Sequence, residues 1–136
     1  PKIGGVLFLD NTVGGDVSAG LALAEMIAIH EDTECFTRCL GDSHSNRSAA
    51  CSQHRLFLLI APTATMIVHP VRMNGTIIGA PQTFDYFQLI QEEIVHFIAG
   101  HSRVRKEKLE QMMINTGMLT KDLGTILVGK EAVGRG

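Results

Sequence analysis

Gly4 to Ala28 reads GGVLFLDNTVGGDVSAGLALAEMIA, and the change of rhythm inside it decides the fold class. Val6 to Leu9 is a short apolar run suited to a buried strand. Asn11 to Gly15 carries turn chemistry. From Asp16 the period lengthens. Val17, Leu21, Ala24, Ile27 and Ala28 recur at helical spacing, and Asp16 or Ser18 can cap the helix. Strand, glycine turn and helix together open an α/β unit.

The rest of the chain continues in that manner. Ala64 to His69 predicts a second strand, stopped by Pro70. Val71 to Ile78 contains Asn74-Gly75, a two-residue hairpin signal. Thr83 to Ala99 predicts a long helix ended by Gly100. Phe84, Phe87, Ile90, Ile94, Phe97 and Ile98 fall on one face of it, and Gln88, Gln91 and Glu92 on others. Arg105 to Asn115 predicts a further helix, capped by Ser102 or a neighbour. Gly124 to Gly129 predicts a short strand, and Lys130 to Val133 the start of a last helix. Val6 to Leu9, Met66 to Val68 and Ile126 to Val128 are the expected core strands.

Composition narrows the function. A chain of 136 residues, 45% apolar, is one domain with enough material for a sizeable core. A net charge of −2 and a pI near 6.3, with no basic face, argue against a nucleic-acid partner. The run Arg103-Val104-Arg105-Lys106 reads as solvated surface. No apolar stretch approaches the roughly 20 residues of a membrane span. The chain opens on Pro1 with no Met and no secretory leader and closes on Gly136, so both termini are expected to be trimmed. Cys35, Cys39 and Cys51 lack the second Cys/His pair of a zinc site and are expected to be reduced thiols of a cytosolic protein.

The Gly14-Gly15 pair admits three readings. It is a phosphate loop at a helix N-terminus, an oxyanion hole built from backbone N–H groups, or a tight turn with positive φ. Its spacing fits neither the dinucleotide fingerprint nor the P-loop.

Asn11 to Ala28 resembles the Gly-Gly turn and following helix of the ClpP serine peptidases, most of all their translocation-enhancing, TepA-like branch. APTATMIVHPVRMNGTIIGAPQTFDYF (Ala61 to Phe87) and GHSRVRKEKLEQMMINTGMLTKDLGTILVGKEAV (Gly100 to Val133) are similar to the same branch. The resemblance implies a single domain over residues 1–136 with the α/β fold of the ClpP/crotonase type, a spiral of β-β-α units. It also implies that the long helix projects from the globular head and interlocks subunits in a homo-oligomeric ring.

The resemblance assigns a site. Ser45, in Gly41-Asp42-Ser43-His44-Ser45, is the nucleophile, with Ser43 as fallback. His69, in Met66-Ile67-Val68-His69-Pro70, is the base, better placed than His44. Gly14 and Gly15 form the oxyanion hole. A serine hydroxyl attacks only once an imidazole takes its proton, and each preset oxyanion donor is worth about 3–4 kcal/mol. The family's acid falls at Asn115, which can orient a histidine without stabilising its charged form. Asp122 is the alternative carboxylate and Asp85 a weaker one. The implied activity is cytoplasmic hydrolysis of peptides or unfolded proteins, linked to preprotein translocation, with an ATP-dependent unfoldase as a possible partner and no metal or organic cofactor. Two other classes share the sequence features: a catalytically weak ring subunit acting as scaffold, and a crotonase-like acyl-CoA enzyme using the same glycine turn.

Asn46 to Leu58 breaks the pattern. The family places a small-residue apolar helix after its nucleophile, whereas here Arg47, Gln53, His54 and Arg55 occupy that slot. Burying them without partners is costly. Codons permitted by Asn46 to Leu58, read one base later, encode IGVPLAVSTDYS, which restores the apolar pattern. Glu34 to Cys39 behaves likewise and gives SVSLV. All three cysteines fall in these two windows. Residues of about 30–39 and 46–59 are therefore expected to be out-of-frame translation between compensating single-base shifts. Sequencing the gene and mapping the peptide masses of the natural protein should return the apolar versions; a gene that encodes Arg47 and Arg55 in frame removes the idea.

Overall fold

Two β-branched or apolar runs that sit between glycines and prolines become parallel strands, and the helices that follow cover one face of them. The computed structural model describes residues 5–29, 34–44, 57–116 and 123–135. In chain order the elements are β1 (Gly5–Thr12), α1 (Val17–Ile29), β2 (Glu34–His44), β3 (Phe57–Ile60), β4 (Thr65–Val68), α2 (Ala80–His101), α3 (Lys106–Met113), β5 (Thr125–Val128) and α4 (Lys130–Arg135).

The five strands form one sheet in the order β1-β2-β4-β5, with β3 also paired to β2. β2 is its axis. One side of β2 pairs in parallel with β1, from Gly5↔Glu34 to Asp10↔Cys39, and after a bulge at Thr12↔Ser43. The other side takes β3 and β4 in succession, both parallel: Phe36↔Phe57 to Cys39↔Ile60, then Asp42↔Thr65 to His44↔Ile67. β3 and β4 are thus one passage along β2, interrupted by a turn in which the Ala61 N–H donates to the Cys39 carbonyl and the Ala64 N–H to that of Ala61. β5 closes the sheet antiparallel to β4. At the bulge the Asp42 N–H donates to Asn11 Oδ1 at 3.2 Å, and Thr65 Oγ1 donates to Asp42 Oδ1 at 2.6 Å.

The core lies between the sheet and the helices. Ala24 and Ile27 of α1, Cys39, Met66, Val68 and Leu127 of the strands, Ile94, Val95, Phe97 and Ile98 of α2 and Leu109, Met112 and Met113 of α3 are buried. Val95 and Leu109 are enclosed entirely, so truncating either to Ala would cost about 2–5 kcal/mol. Asp16 caps α1 as its position suggests, its Oδ1 accepting the Ala19 N–H at 2.8 Å.

Several expectations are corrected. Val6 to Leu9 is not buried on both faces: β1 is an edge strand that turns Phe8 and Asp10 inward and leaves Leu7 and Leu9 more than half exposed. Asn74-Gly75 makes no hairpin; residues 69–79 carry no strand. The long helix starts earlier, with Pro81 in its first turn, and runs through Gly100 to His101. It stops because Ser102 turns extended, its hydroxyl donating back to the Ile98 carbonyl at 2.7 Å. Ser102 therefore does not cap α3, whose N-cap Arg105 gives no side-chain bond. α2 packs on the core from Ile90 onward; Phe84, Tyr86 and Leu89 in its first half, and Ile78 just before it, stay more than half exposed.

Gly129 locks β5 to the turn between β3 and β4. Its φ is 42°, its N–H donates to the Ala64 carbonyl at 3.0 Å, and a Cβ there would run into the Pro62 backbone. Gly129→Ala should lower stability by about 1–3 kcal/mol in urea unfolding. Gly134→Ala, where a Cβ meets nothing within 4 Å, should be neutral or stabilise the helix by up to about 1 kcal/mol.

Candidate active site

Because β1, β2 and β4 run in parallel and in register, their C-terminal ends emerge along one edge. Thr12 pairs with Ser43, and His44 pairs with Ile67. The carboxyl edge of parallel strands is where open α/β sheets place their chemistry, since the loops there converge and the following helices start there. The Val13–Asp16 loop leaves β1 at this edge, and His69 is the first residue after β4.

Gly14 holds φ 100°, a conformation that suits glycine, and its N–H donates to Thr12 Oγ1 at 3.2 Å. A Cβ on Gly15 would meet nothing within 4 Å, so that position is open. His69 is half-buried, with Nδ1 2.6 Å from the Pro70 carbonyl oxygen. A carbonyl only accepts, so in this contact the proton sits on Nδ1 and the lone pair of the neutral ring lies on Nε2. Pro70 also confines the backbone of His69 to extended conformations, which carries the direction of β4 through to the imidazole.

Gly15 and His69 line the same cavity, of about 270 Å³. Val17 at the start of α1, Arg72, Ile94 of α2 and Met113 of α3 contribute to its walls. Most of its lining residues are apolar, joined by one imidazole and one guanidinium, with backbone polar groups exposed between them, and no Asp or Glu takes part among the described residues. Arg72 reaches over to the Leu123 carbonyl at 3.4 Å.

Asn115 faces elsewhere. Its Nδ2 donates to Thr125 Oγ1 at 3.4 Å, Thr125 Oγ1 donates to the Met112 carbonyl at 2.7 Å, and the Gly124 N–H donates to the Asn115 carbonyl at 2.8 Å. Asn115 and Thr125 line a second cavity with Lys108 and Arg135, apart from that of His69. Ser45 and Asp122 lie outside the described residues. Ser43 and His44 are the last two residues of β2, and Asp85 is exposed near the start of α2. No group of three or more His, Cys, Asp or Glu residues suited to a metal ion occurs among the described residues, and no described helix is long and apolar enough to cross a membrane.

Gln91 is the residue that pattern reading misplaced. It does not belong to the solvated faces of α2. Its Oε1 accepts the Val71 N–H at 2.7 Å and its Nε2 sits 2.8 Å from Met113 Sδ, in a partly buried setting. The signal was present: Phe87, Gln91, Ile94, Val95 and Ile98 follow the i, i+4, i+7, i+8, i+11 stripe, and a polar residue within such a stripe needs a partner.

With the sheet, the glycine turn and His69 in place, the chain matches the family model of Clp protease over residues 4–132. The chain belongs to the Clp protease family, and its α/β fold is of the ClpP/crotonase type. It is 46% identical over 132 residues to the translocation-enhancing protein TepA of Halalkalibacterium halodurans, an alignment that takes in 97% of this chain and 51% of that protein. The chain spans about half the length of this relative.

Thr125 is nearly fully buried and tied at its hydroxyl, so Thr125→Val should cost about 1–2 kcal/mol by chemical denaturation. Asn115→Ala, at an exposed side chain, should cost less than half as much.

Proposed function

We propose that this chain is the catalytic part of a ClpP-like serine peptidase of the TepA type. One observation carries the reading: the ends of β1, β2 and β4 meet at one edge, where Gly15 and His69 share a cavity. Ser45 follows directly on His44, whose pairing to Ile67 sets β2 about 4.8 Å from the strand that leads into His69. In this reading the Ser45 hydroxyl passes its proton to His69 Nε2 and attacks the substrate carbonyl carbon. The developing oxyanion is met by the amides of Gly14 and Gly15, with Gly14 exchanging its bond to Thr12 for the substrate. His69 then protonates the departing amine, and water hydrolyses the acyl-enzyme by the same steps reversed.

The apolar side chains of the cavity walls suit peptide or unfolded-chain segments without strong charge, with Arg72 at the rim. The exposed apolar half of α2 supports assembly into a homo-oligomeric ring. Family membership supports an ATP-dependent unfoldase as a partner, and the name of the translocation-enhancing relative supports a link to translocation. Asn115, at the position the resemblance gives to the acid, donates its side-chain N–H to Thr125, which favours a second reading in which the subunit is a scaffold with weak or no activity.

A fluorophosphonate probe separates the two. Labelling of the folded chain that is lost in Ser45→Ala and falls about 100-fold in His69→Ala supports the peptidase. A folded, assembled chain that takes no label is the scaffold.

A further inference from the structure

The Pro70 carbonyl and the Val71 N–H are two ends of one peptide group. That group is planar and trans, so its C=O and N–H point in opposite directions and cannot turn independently. On one side the Val71 N–H donates to Gln91 Oε1 at 2.7 Å; on the other the Pro70 oxygen accepts from His69 Nδ1 at 2.6 Å. Gln91 in turn is held by Nε2 against Met113 Sδ at 2.8 Å. The Val71 N–H settles which end of the amide faces it, since only the oxygen can accept an N–H.

We propose that Gln91 is a positioning residue for His69, acting through the 70–71 peptide plane to aim the Pro70 carbonyl at Nδ1 and so keep the lone pair on Nε2. The catalytic consequence rests on His69 being the base; the relay itself does not. Three features converge on this role. Gln91 is the polar residue set into the buried stripe of α2, where a hydrophobic side chain would pack at no desolvation cost. Residues 69–79 carry no strand, so no ladder bond orients the 70–71 peptide and a side chain must do it. Hydrogen bonds at both ends of one peptide group also polarise each other, which makes the Pro70 oxygen a better acceptor. The carbonyl takes the orienting part of a third triad member, while Asn115 is engaged with Thr125. Being neutral, it fixes the tautomer without balancing the charge of an imidazolium.

The test is nitrogen NMR on the full chain with labelled histidine, together with probe kinetics. In the unmodified protein His69 should be the Nδ1–H tautomer, and a through-bond coupling should link the Val71 nitrogen to the Gln91 side-chain carbonyl. If either is missing, the relay is wrong. Gln91→Leu should release His69 into a mixture with the Nε2–H form, and Gln91→Glu, which keeps an acceptor for Val71, should restore the original tautomer. An unchanged tautomer in folded Gln91→Leu overturns the proposal; Gln91→Met, closer in length, replaces Leu if that variant does not fold. Where the unmodified chain takes the fluorophosphonate label, Gln91→Leu should slow labelling about tenfold, a fraction of what losing a general base costs. The midpoint of its pH profile should move, and Gln91→Glu should recover most of the rate. Labelling at the original rate overturns the positioning role. If the unmodified chain takes no label, the peptidase reading fails by itself, and the tautomer of His69 still decides the relay.

Discussion

The parallel pairing of β2 on both its edges is the constraint on which the rest of the structure depends. A parallel ladder fixes direction as well as neighbour, so three strands in register must all end on the same side. β1 then delivers the glycine turn, β2 the Gly41–His44 end, and β4 the histidine. The bulge at Thr12↔Ser43 and the Asp42–Asn11 bond adjust this edge by the last few ångströms. Without β2 in the middle the glycine turn and His69, more than fifty residues apart in the chain, would have no reason to meet.

Around that edge the chain uses backbone geometry more than charge. Gly14 holds a positive φ, Pro70 confines His69, and the 70–71 peptide is bonded to Gln91 on one side and to the imidazole on the other. These devices are rigid and cost little to maintain, since each satisfies polar groups that would otherwise be left unpaired. They differ from a carboxylate in kind. They can place a ring and select its tautomer, but they add no negative charge to an imidazolium. The proposed peptidase would draw its transition-state stabilisation from preset N–H donors.

The helices divide the molecule unevenly. α3 and the C-terminal half of α2 seal the core over β4, while Ile78 just ahead of α2 and Phe84, Tyr86 and Leu89 in its first half stand in the open. A chain of this apolar content gains by covering such surface, at about 25 cal/mol per Å² removed from water. The Gly129–Pro62 contact supplies the rigid corner at the opposite end of the sheet, where β5 meets the β3–β4 turn.

The sequence alone determined the α/β class, the Gly-Gly turn between strand and helix, the Asp16 cap and the strand leading into His69, because periodicity, capping and proline rules act over a few residues. Through the resemblance it also determined the family. It did not determine that β1 is an edge strand with Leu7 and Leu9 outward, that Asn74-Gly75 makes no hairpin, or that α2 runs through Gly100. Each of those depends on what lies across the sheet or beside the helix, and local signals yield to that context. Gln91 shows the boundary most clearly: its place in the apolar stripe was legible, but its partners, Val71 and Met113, come from other segments. Only tertiary structure decides which polar group meets which, because a hydrogen bond depends on distance in space and not on separation along the chain.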